Sequence, residues 1–364
     1  MHYFTFGEKD TTLYEASSSV NAGLDEILEI RKDVSDTGDT VSTTRVLIRF
    51  DLSYISQSIV RGTITNPKYY LNLYDAKPQN LATSQSLYAY PVSQSWVMGD
   101  GRSYDNPITT EGASWKFRDG KIDGSIWGEA SSSGGTWISG DGYVASHSLN
   151  HESSDIRMNV TDIVNKWLDG TLSNEGFILK RSGSNALSGS DEGNTTRFGN
   201  LSFFSSDTHT KYPPTLETVW DDAKWSTGSL SPLTQANLED MVIYMKGLRP
   251  EYKEKSKARF RLVGRERFPD ATYDTTPANL SVKYLPISTS FYSILDAETD
   301  DVIVPYGSGS RISCDSTGNY FNLWLDGYQP ERYYRLEFRI QSGSGTVEEI
   351  DQYFDEGFTF KVSQ

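Results

Sequence analysis

The chain has few of the residue types that most often carry out catalysis. Its 364 residues include one cysteine and four histidines. A lone Cys314 excludes both an intramolecular disulfide and a zinc site built from cysteines. The sequence also has no Gly-x-Ser-x-Gly elbow leading into a helix and no Gly-rich phosphate loop ending in Gly-Lys. We therefore expect a protein that is not an enzyme and that needs no organic cofactor.

Long apolar segments and clusters of positive charge are missing as well. No window approaches the ~20 consecutive apolar residues of a transmembrane helix, so we expect no membrane partner. The N-terminal residues lack the charged start and apolar run of a signal peptide, so we expect no export by the usual route. With 34 basic against 49 acidic residues, the net charge is −15, and such a surface repels phosphate backbones. Nucleic acid is therefore not an expected partner.

Apolar and polar residues alternate with a period of two in several segments, which is typical of half-buried strands. The segment Arg45–Leu52 has an apolar residue at every second position, and Lys257–Leu262, Tyr333–Ile340 and Phe358–Val362 repeat the pattern. Strands of this kind form antiparallel sheets with one solvated face. We therefore predict an all-β protein built from β-sandwiches.

One segment departs from this alternation and predicts a single short helix. Between Asn159 and Gly170, apolar residues stand three, four, seven and eight positions after Val160, which places them on one helical face. Asn159 is a suitable N-cap, and Gly170 suits the left-handed residue that ends a helix. We expect this helix to lie across a sheet or to seal one end of a sandwich.

The chain divides into three parts at changes in composition. Residues 1–222 contain many strands separated by Ser/Gly-rich loops, and a polar passage at 221–228 ends this part. We predict a large β-sandwich domain over 1–222, a small β domain over 223–288 and a C-terminal β domain over 289–364. The last two fit either two small sandwiches of immunoglobulin size or one interlocked unit.

Landmarks of the first part occur together in the order of a known family. They are the run Asp10–Glu15 followed by Asn21–Asp25, the strand Arg45–Leu52, a stretch rich in tryptophan, and the helical segment that precedes Asn174–Lys180. Over about residues 8–220 the sequence resembles the DNRLRE, or disaggregatase-related, domain. The resemblance implies a jelly-roll β-sandwich similar to carbohydrate-binding modules.

The remainder of the chain resembles the immunoglobulin-like (Ig-like) C-terminal regions of tailed-phage virion proteins. The segments that carry this resemblance are Leu248–Tyr252, Arg259–Leu262, Arg265–Pro269, Ser290–Ile294 and Gly318–Phe321. The resemblance implies one or two small Ig-like β-sandwiches. It also implies a virion protein that is made in the host cytoplasm.

Calcium is the one ion for which the sequence offers a plausible set of ligands. Two Gly-rich turns, 99–106 and 189–194, concentrate the oxygen donors that hard cations require, among them Asp100, Asp105 and Asp191. Neither turn matches an EF-hand loop, and a solvated turn explains the same residues. The sequence therefore leaves a structural calcium ion and an ordinary turn as alternatives.

Trp96, Trp115, Trp127 and Trp137 form a second suggestive set. Exposed indole rings can stack on sugar rings, and the resemblance to carbohydrate-binding modules favours such a role. Large aromatic side chains more commonly fill cores or assembly interfaces. We favour the core or an interface for these four residues.

The two resemblances imply two functions of different classes. The first is a non-enzymatic structural protein of a tailed-phage virion, which docks at the capsid, neck, collar or tail through its C-terminal β domains. Its expected partners are other virion proteins in a symmetric, homo-oligomeric assembly. The alternative is a carbohydrate-binding adhesin module that recognises surface polysaccharide. The docking candidates are the basic residues Arg259, Arg261, Arg265 and Arg267, with Tyr333, Tyr334, Phe354 and Phe358 as apolar material.

Overall fold

The computed structural model describes residues 1–38, 41–77, 85–120, 124–128, 134–149, 154–181, 191–233, 241–268, 282–342 and 350–364. Within them, strands account for most of the regular structure. The first eleven strands are β1 (His2–Tyr14), β2 (Ile27–Ile30), β3 (Lys32–Val34), β4 (Val41–Phe50), β5 (Lys68–Leu73), β6 (Gln85–Pro91), β7 (Ala145–Leu149), β8 (Ile156–Asn159), β9 (Phe177–Lys180), β10 (Leu201–Phe204) and β11 (Thr215–Val219).

The later strands are β12 (Ser231–Pro232), β13 (Met241–Lys246), β14 (Glu251–Lys253), β15 (Lys257–Glu266), β16 (Lys283–Tyr284), β17 (Ser290–Asp296), β18 (Val302–Val304), β19 (Ser313–Asp315), β20 (Gly318–Trp324), β21 (Arg332–Ser342) and β22 (Ile350–Ser363). Among them, β15, β21 and β22 are the long ones, with 10, 11 and 14 residues. The α-helices of the described chain are α1 (Ser53–Val60) and α2 (Thr161–Leu168), and short 3-10 helices span Ser308–Ser310 and Leu325–Gly327. The prediction of an all-β fold is confirmed.

The chain forms two compact units. One consists of Thr5–Arg61 and Lys68–Thr218, and we call it the N-terminal unit. The other consists of Met1–Phe4, Gly62–Pro67 and Val219–Gln364, and we call it the C-terminal unit.

A nine-stranded sheet dominates the N-terminal unit. Its strand order is β7-β6-β9-β4-β1-β11-β5-β8, with β3 beside β4. The terminal strands β7 and β8 lie next to each other, so the sheet is nearly closed. Strands β2 and β10 form a separate antiparallel pair. Strand β4 is central and therefore buried on both faces over much of its length, which places Arg45 at 2% exposure instead of on the predicted solvated face.

Helix α2 has the apolar face that its sequence predicts. Ile163, Val164 and Trp167 are buried, and the Trp167 ring lies edge-on to Phe177 with 4.6 Å between ring centroids. Asn159 stands one position before the N-cap and accepts hydrogen bonds from the amide and hydroxyl of Thr161 at the helix start. Helix α1 was not predicted, because its eight residues bury only Ile55 and Ser58 and show no strong apolar face.

Two sheets form a β-sandwich in the C-terminal unit. The first has the order β12-β16-β15-β20-β19 with β13 beside β15, and the second has the order β14-β22-β21-β17-β18. Their inner faces share one apolar core. Within that core, Phe321 of the first sheet stacks on Tyr292 of the second at 4.3 Å, and Phe260 lies 5.1 Å from Phe360.

The predicted division at residue 288 is not present in this sandwich. Strand β15 pairs with β20 over Lys257–Leu262 and Asn319–Trp324, so residues from both sides of 288 lie in one sheet. The described residues of 223–364 belong to one compact unit, which also contains Met1–Phe4 and Gly62–Pro67. This arrangement corresponds to the single interlocked unit that the sequence left open as an alternative.

Candidate functional site

The predicted docking arginines lie on and just after β15. Alternation along this strand directs Ala258, Phe260 and Leu262 into the core, while Arg259 is exposed and Arg261 is half-buried on the outer face. Arg265 is half-buried near the strand end, and Arg267 is exposed just beyond it. The alternating sequence therefore places these cations on the outer side of the six-stranded sheet.

Arg261 is held by a carboxylate on β19. Its two terminal nitrogens donate to the two carboxylate oxygens of Asp315 at 2.7 and 2.8 Å. This paired hydrogen bonding from Arg261 lowers the pKa of Asp315 to about 2. Arg259 lies farther from the same carboxylate, at 3.6 Å, and its guanidinium carbon is 4.2 Å from the centre of the Tyr320 ring. One carboxylate thus serves two guanidinium groups.

Strand β13 extends this surface with residues that the sequence analysis did not single out. Lys246 lies opposite Arg261 in the antiparallel register, and Tyr244 lies opposite Val263. Opposed residues share a face, so Lys246 and the 42%-exposed Tyr244 belong to the same outer surface. The pattern of β13 was visible in the sequence, but its register against β15 was not. We call Lys246, Arg259, Arg261 and Arg265 the basic face.

The basic face carries more positive than negative charge. In the described part of the chain, Asp315 is the carboxylate that forms ion pairs with it. Arg265 donates to the backbone carbonyl of Glu266 at 2.9 Å, and that interaction does not neutralise its charge. In a chain of net charge −15, a sheet face with excess positive charge is a local exception.

The arginines on the outer face of the other sheet in the same unit are all paired with carboxylates. On β21, Arg335 lies within 3.0–3.7 Å of carboxylate oxygens of Asp300, Glu337 and Asp355. Arg339 donates to both oxygens of Asp351 at 2.8–3.0 Å. Two arginines are matched by four carboxylates, so this second face has no excess of positive charge to offer a partner.

The four aromatic residues predicted to take part in docking differ in how deeply they are buried. Tyr334 is buried in the shared core, and Phe354 and Phe358 pack against that core. Tyr333 is half exposed, and Tyr353, which was not predicted, is 63% exposed. Tyr334, Phe354 and Phe358 are therefore structural, because the inward positions of β21 and β22 fill the sandwich.

Three of the four candidate tryptophans are core residues of the N-terminal unit. Trp96, Trp115 and Trp127 are at most 7% exposed, and Trp137 packs against the same cluster while partly buried. The indole nitrogen of Trp127 donates to the Ser114 carbonyl at 2.8 Å. Stacking on a sugar needs an accessible ring face, so this arrangement favours the core role.

A buried charge cluster lies beside these tryptophans. Arg45 donates from Nε and Nη2 to the carboxylate of Glu192 at 3.2 and 2.9 Å, and Lys180 lies 2.9 Å from the same carboxylate. The Trp137 ring centre is 4.9 Å from the Arg45 guanidinium and 4.3 Å from the Lys180 ammonium. All three charged side chains are at most 3% exposed. Because every member has partners, this cluster stabilises the core and does not form an open site.

The three aspartates considered as calcium ligands lie in different local environments. Asp100 is exposed, and Asp105 accepts hydrogen bonds from the Arg102 amide and the Thr109 hydroxyl within its own turn. The Asp191 backbone carbonyl accepts a hydrogen bond from Lys32. Among the residues that the structure describes, no group of three or more His, Cys, Asp or Glu side chains is placed to hold a metal ion.

None of the helices in the described ranges is long and apolar enough to cross a bilayer.

Comparisons with known proteins identify no family for this chain. No protein-family model matches it, and no curated protein matches it. One solved structure, a DUF4785 family protein from Legionella pneumophila, aligns over 100% of this chain with 10% sequence identity and a TM-score of 0.20. The chain spans 62% of the length of that protein. A similarity of this size supports no inference about fold or function.

Proposed function

We propose that this chain is a non-enzymatic structural protein of a tailed-phage virion, which docks through the basic face onto an acidic surface of a neighbouring subunit. The observation that carries the proposal is the excess of cations over carboxylates at Lys246, Arg259, Arg261 and Arg265. The virion assignment rests on the resemblance of the C-terminal region to virion proteins of tailed phages.

Charge complementarity specifies the occupant of this face. Acidic copies of the chain repel one another, so contact is favoured only where positive charge offsets the repulsion. The exposed Tyr244 beside the cations offers apolar area of the kind found in interface cores. An acidic protein surface therefore fits the basic face better than an apolar surface does.

The proposal gives the N-terminal unit a structural role. The carbohydrate-binding alternative has less support, because the indoles proposed for sugar stacking are largely buried. A catalytic role also has no local support among the described residues. Cys314 is buried, and burial raises the pKa of its thiol to about 11, which disfavours the reactive thiolate.

Particle incorporation tests the proposal. A phage that lacks this gene would be complemented with the full-length chain carrying Lys246→Glu and Arg259→Glu together. Both side chains are exposed, so folding should be retained. Opposing like charges across an interface cost several kcal/mol, so incorporation into particles should fall at least about tenfold.

The matched control is Lys68→Glu with Lys253→Glu. It has the same change in charge at two exposed lysines outside the basic face, and we expect it to incorporate like the parent. Normal incorporation of the Lys246/Arg259 variant would refute docking through this face. Absence of the parent chain from purified particles would refute the virion role.

A further inference from the structure

Asp10 is a fully buried carboxylate, and one of its oxygens has no hydrogen-bond partner among the described residues. It lies on β1 in the N-terminal unit at 0% exposure. Its Oδ2 accepts hydrogen bonds from the backbone amide of Ser206, at 2.8 Å, and from the Ser206 hydroxyl. Its Oδ1 is also buried and has no hydrogen-bond partner in the described part of the chain. A charged oxygen buried without a donor is costly, so this atom requires an explanation.

Asp207 supplies a second oxygen of the same kind. It follows Ser206 in the chain, and its Oδ2 is buried with no hydrogen-bond partner among the described residues. Burial and, to a smaller extent, repulsion by Asp207 raise the pKa of Asp10 to about 6, against the lowering effect of Ser206. Asp207 also directly follows the residue whose amide and hydroxyl donate to Asp10, which brings the two carboxylates to the same region of the N-terminal unit.

The neighbouring cation does not satisfy either oxygen. Arg102 acts on Asp207 through its charge, but its Nε donates to the Leu24 carbonyl at 3.3 Å. Neither Asp10 Oδ1 nor Asp207 Oδ2 has a hydrogen-bond donor in the described part of the chain, so a bound cation is the partner that would satisfy both oxygens.

We propose that Asp10 and Asp207 together bind a hard divalent cation, with Ca²⁺ as the best match. Two unpartnered carboxylate oxygens provide anionic oxygen ligands, which Ca²⁺ prefers, and water can complete its flexible coordination shell. The cation neutralises both carboxylates and ties β1 to the segment that follows β10. This site is separate from the turn residues Asp100 and Asp105, which the sequence analysis considered for calcium.

Thermal unfolding of the full-length chain at pH 7.5 tests the site. Protein stripped with EDTA and dialysed would be compared with and without CaCl₂, and MgCl₂ would serve as the second probe. At a Ca²⁺ concentration about 100-fold above Kd, Tm should rise by about 5–10 °C. Isothermal titration calorimetry should give a stoichiometry of one Ca²⁺ per chain.

Amide substitutions locate the ligands. Asp10→Asn and Asp207→Asn should each remove most of the Ca²⁺-dependent rise in Tm, and Asp207→Asn carries the test if the buried variant does not fold. Asp100→Asn and Asp105→Asn are the matched controls and should keep the full rise. The proposal is overturned if Ca²⁺ does not change the Tm of the parent. It is also overturned if the rise persists in Asp207→Asn or is lost in the controls instead.

Discussion

At the scale of single residues, Trp167 contributes a large apolar side chain to the N-terminal unit. It is 8% exposed and contacts Phe177, as the helical face predicts. Trp167→Ala leaves a cavity that the surroundings fill only in part, so the free energy of unfolding should fall by about 3–5 kcal/mol. Urea unfolding measures this loss. Asn165→Ala, at an exposed position of the same helix, should change it by less than about 0.5 kcal/mol. Equal stability of the two variants would contradict the packing of Trp167.

Glu192 is a buried carboxylate that Arg45 and Lys180 share. Burial acts to raise the pKa of Glu192, but Arg45 and Lys180 outweigh burial and hold the pKa below its ordinary value. Glu192→Gln leaves both cations buried without a counter-charge and should cost about 3–5 kcal/mol at pH 7. The sequence did not reveal this cluster, because Arg45 occupies a polar position in an alternating strand that is nevertheless covered on both faces.

The loss of stability caused by Glu192→Gln should become smaller as the pH falls. A depressed pKa means that the stabilising contribution of Glu192 is present above about pH 4.3 and disappears as the pH falls through the folded-state pKa. The difference in stability between the parent and Glu192→Gln should therefore shrink on acidification from pH 7 to pH 3. Urea unfolding at each pH measures it, with the exposed Glu26→Gln as control. A difference that grows on acidification would contradict the assignment.

At the scale of elements, the segment 98–113 is organised around one buried side chain. Asn21 donates to the carbonyls of Met98 and Ala113 at 2.7 and 2.9 Å, and its Oδ1 accepts from the amides of Gly23 and Gly101. Gly112 has a φ of +109°, and a Cβ there would lie 2.4 Å from the Cα of Gly99. The glycines of this turn thus permit close backbone packing, which explains them without a bound ion; calcium ligation by the turn stays a prediction.

Gly112→Ala should destabilise the N-terminal unit through both backbone strain and steric overlap. We expect a loss of about 2–4 kcal/mol in the free energy of unfolding, measured by urea titration. Gly170→Ala is the control for backbone strain without steric overlap, because Gly170 has a φ of +80° and a Cβ there would have no atom within 4 Å. In this control the free energy of unfolding should fall by only about 1 kcal/mol. A loss for Gly112→Ala no larger than that of the control would contradict the close packing.

The sequence predicted the elements better than their pairing. Alternation identified the buried faces of β15 and β21, and the spacing of three and four identified α2, because these patterns depend on neighbouring residues alone. The register of β13 against β15, which completes the basic face with Lys246, depends on how two separate strands come together. The unpartnered oxygens of Asp10 and Asp207 are likewise invisible in the sequence, since they depend on the approach of β1 to the segment after β10.

At the scale of the whole molecule, charge is distributed unevenly over an acidic chain. The net charge of −15 makes copies of the chain repel one another, while the basic face concentrates positive charge on one sheet of the C-terminal unit. On the outer face of the other sheet, carboxylates outnumber the arginines that they pair with. The acidic total and the arginine-rich stretch can be read from the sequence, but only the strand pairing distinguishes the face with excess positive charge from the face whose arginines are paired with carboxylates.

The position of the neighbouring subunit in the assembled particle tests the central claim most directly. A cryo-EM map of the virion at side-chain resolution would show which surface of this chain is covered. We predict an acidic surface of another subunit over Lys246, Arg259 and Arg261, with Tyr244 buried at the contact. A map in which the neighbour covers the outer face of β21 and β22, or only the N-terminal unit, while the basic face stays exposed to solvent would contradict the account.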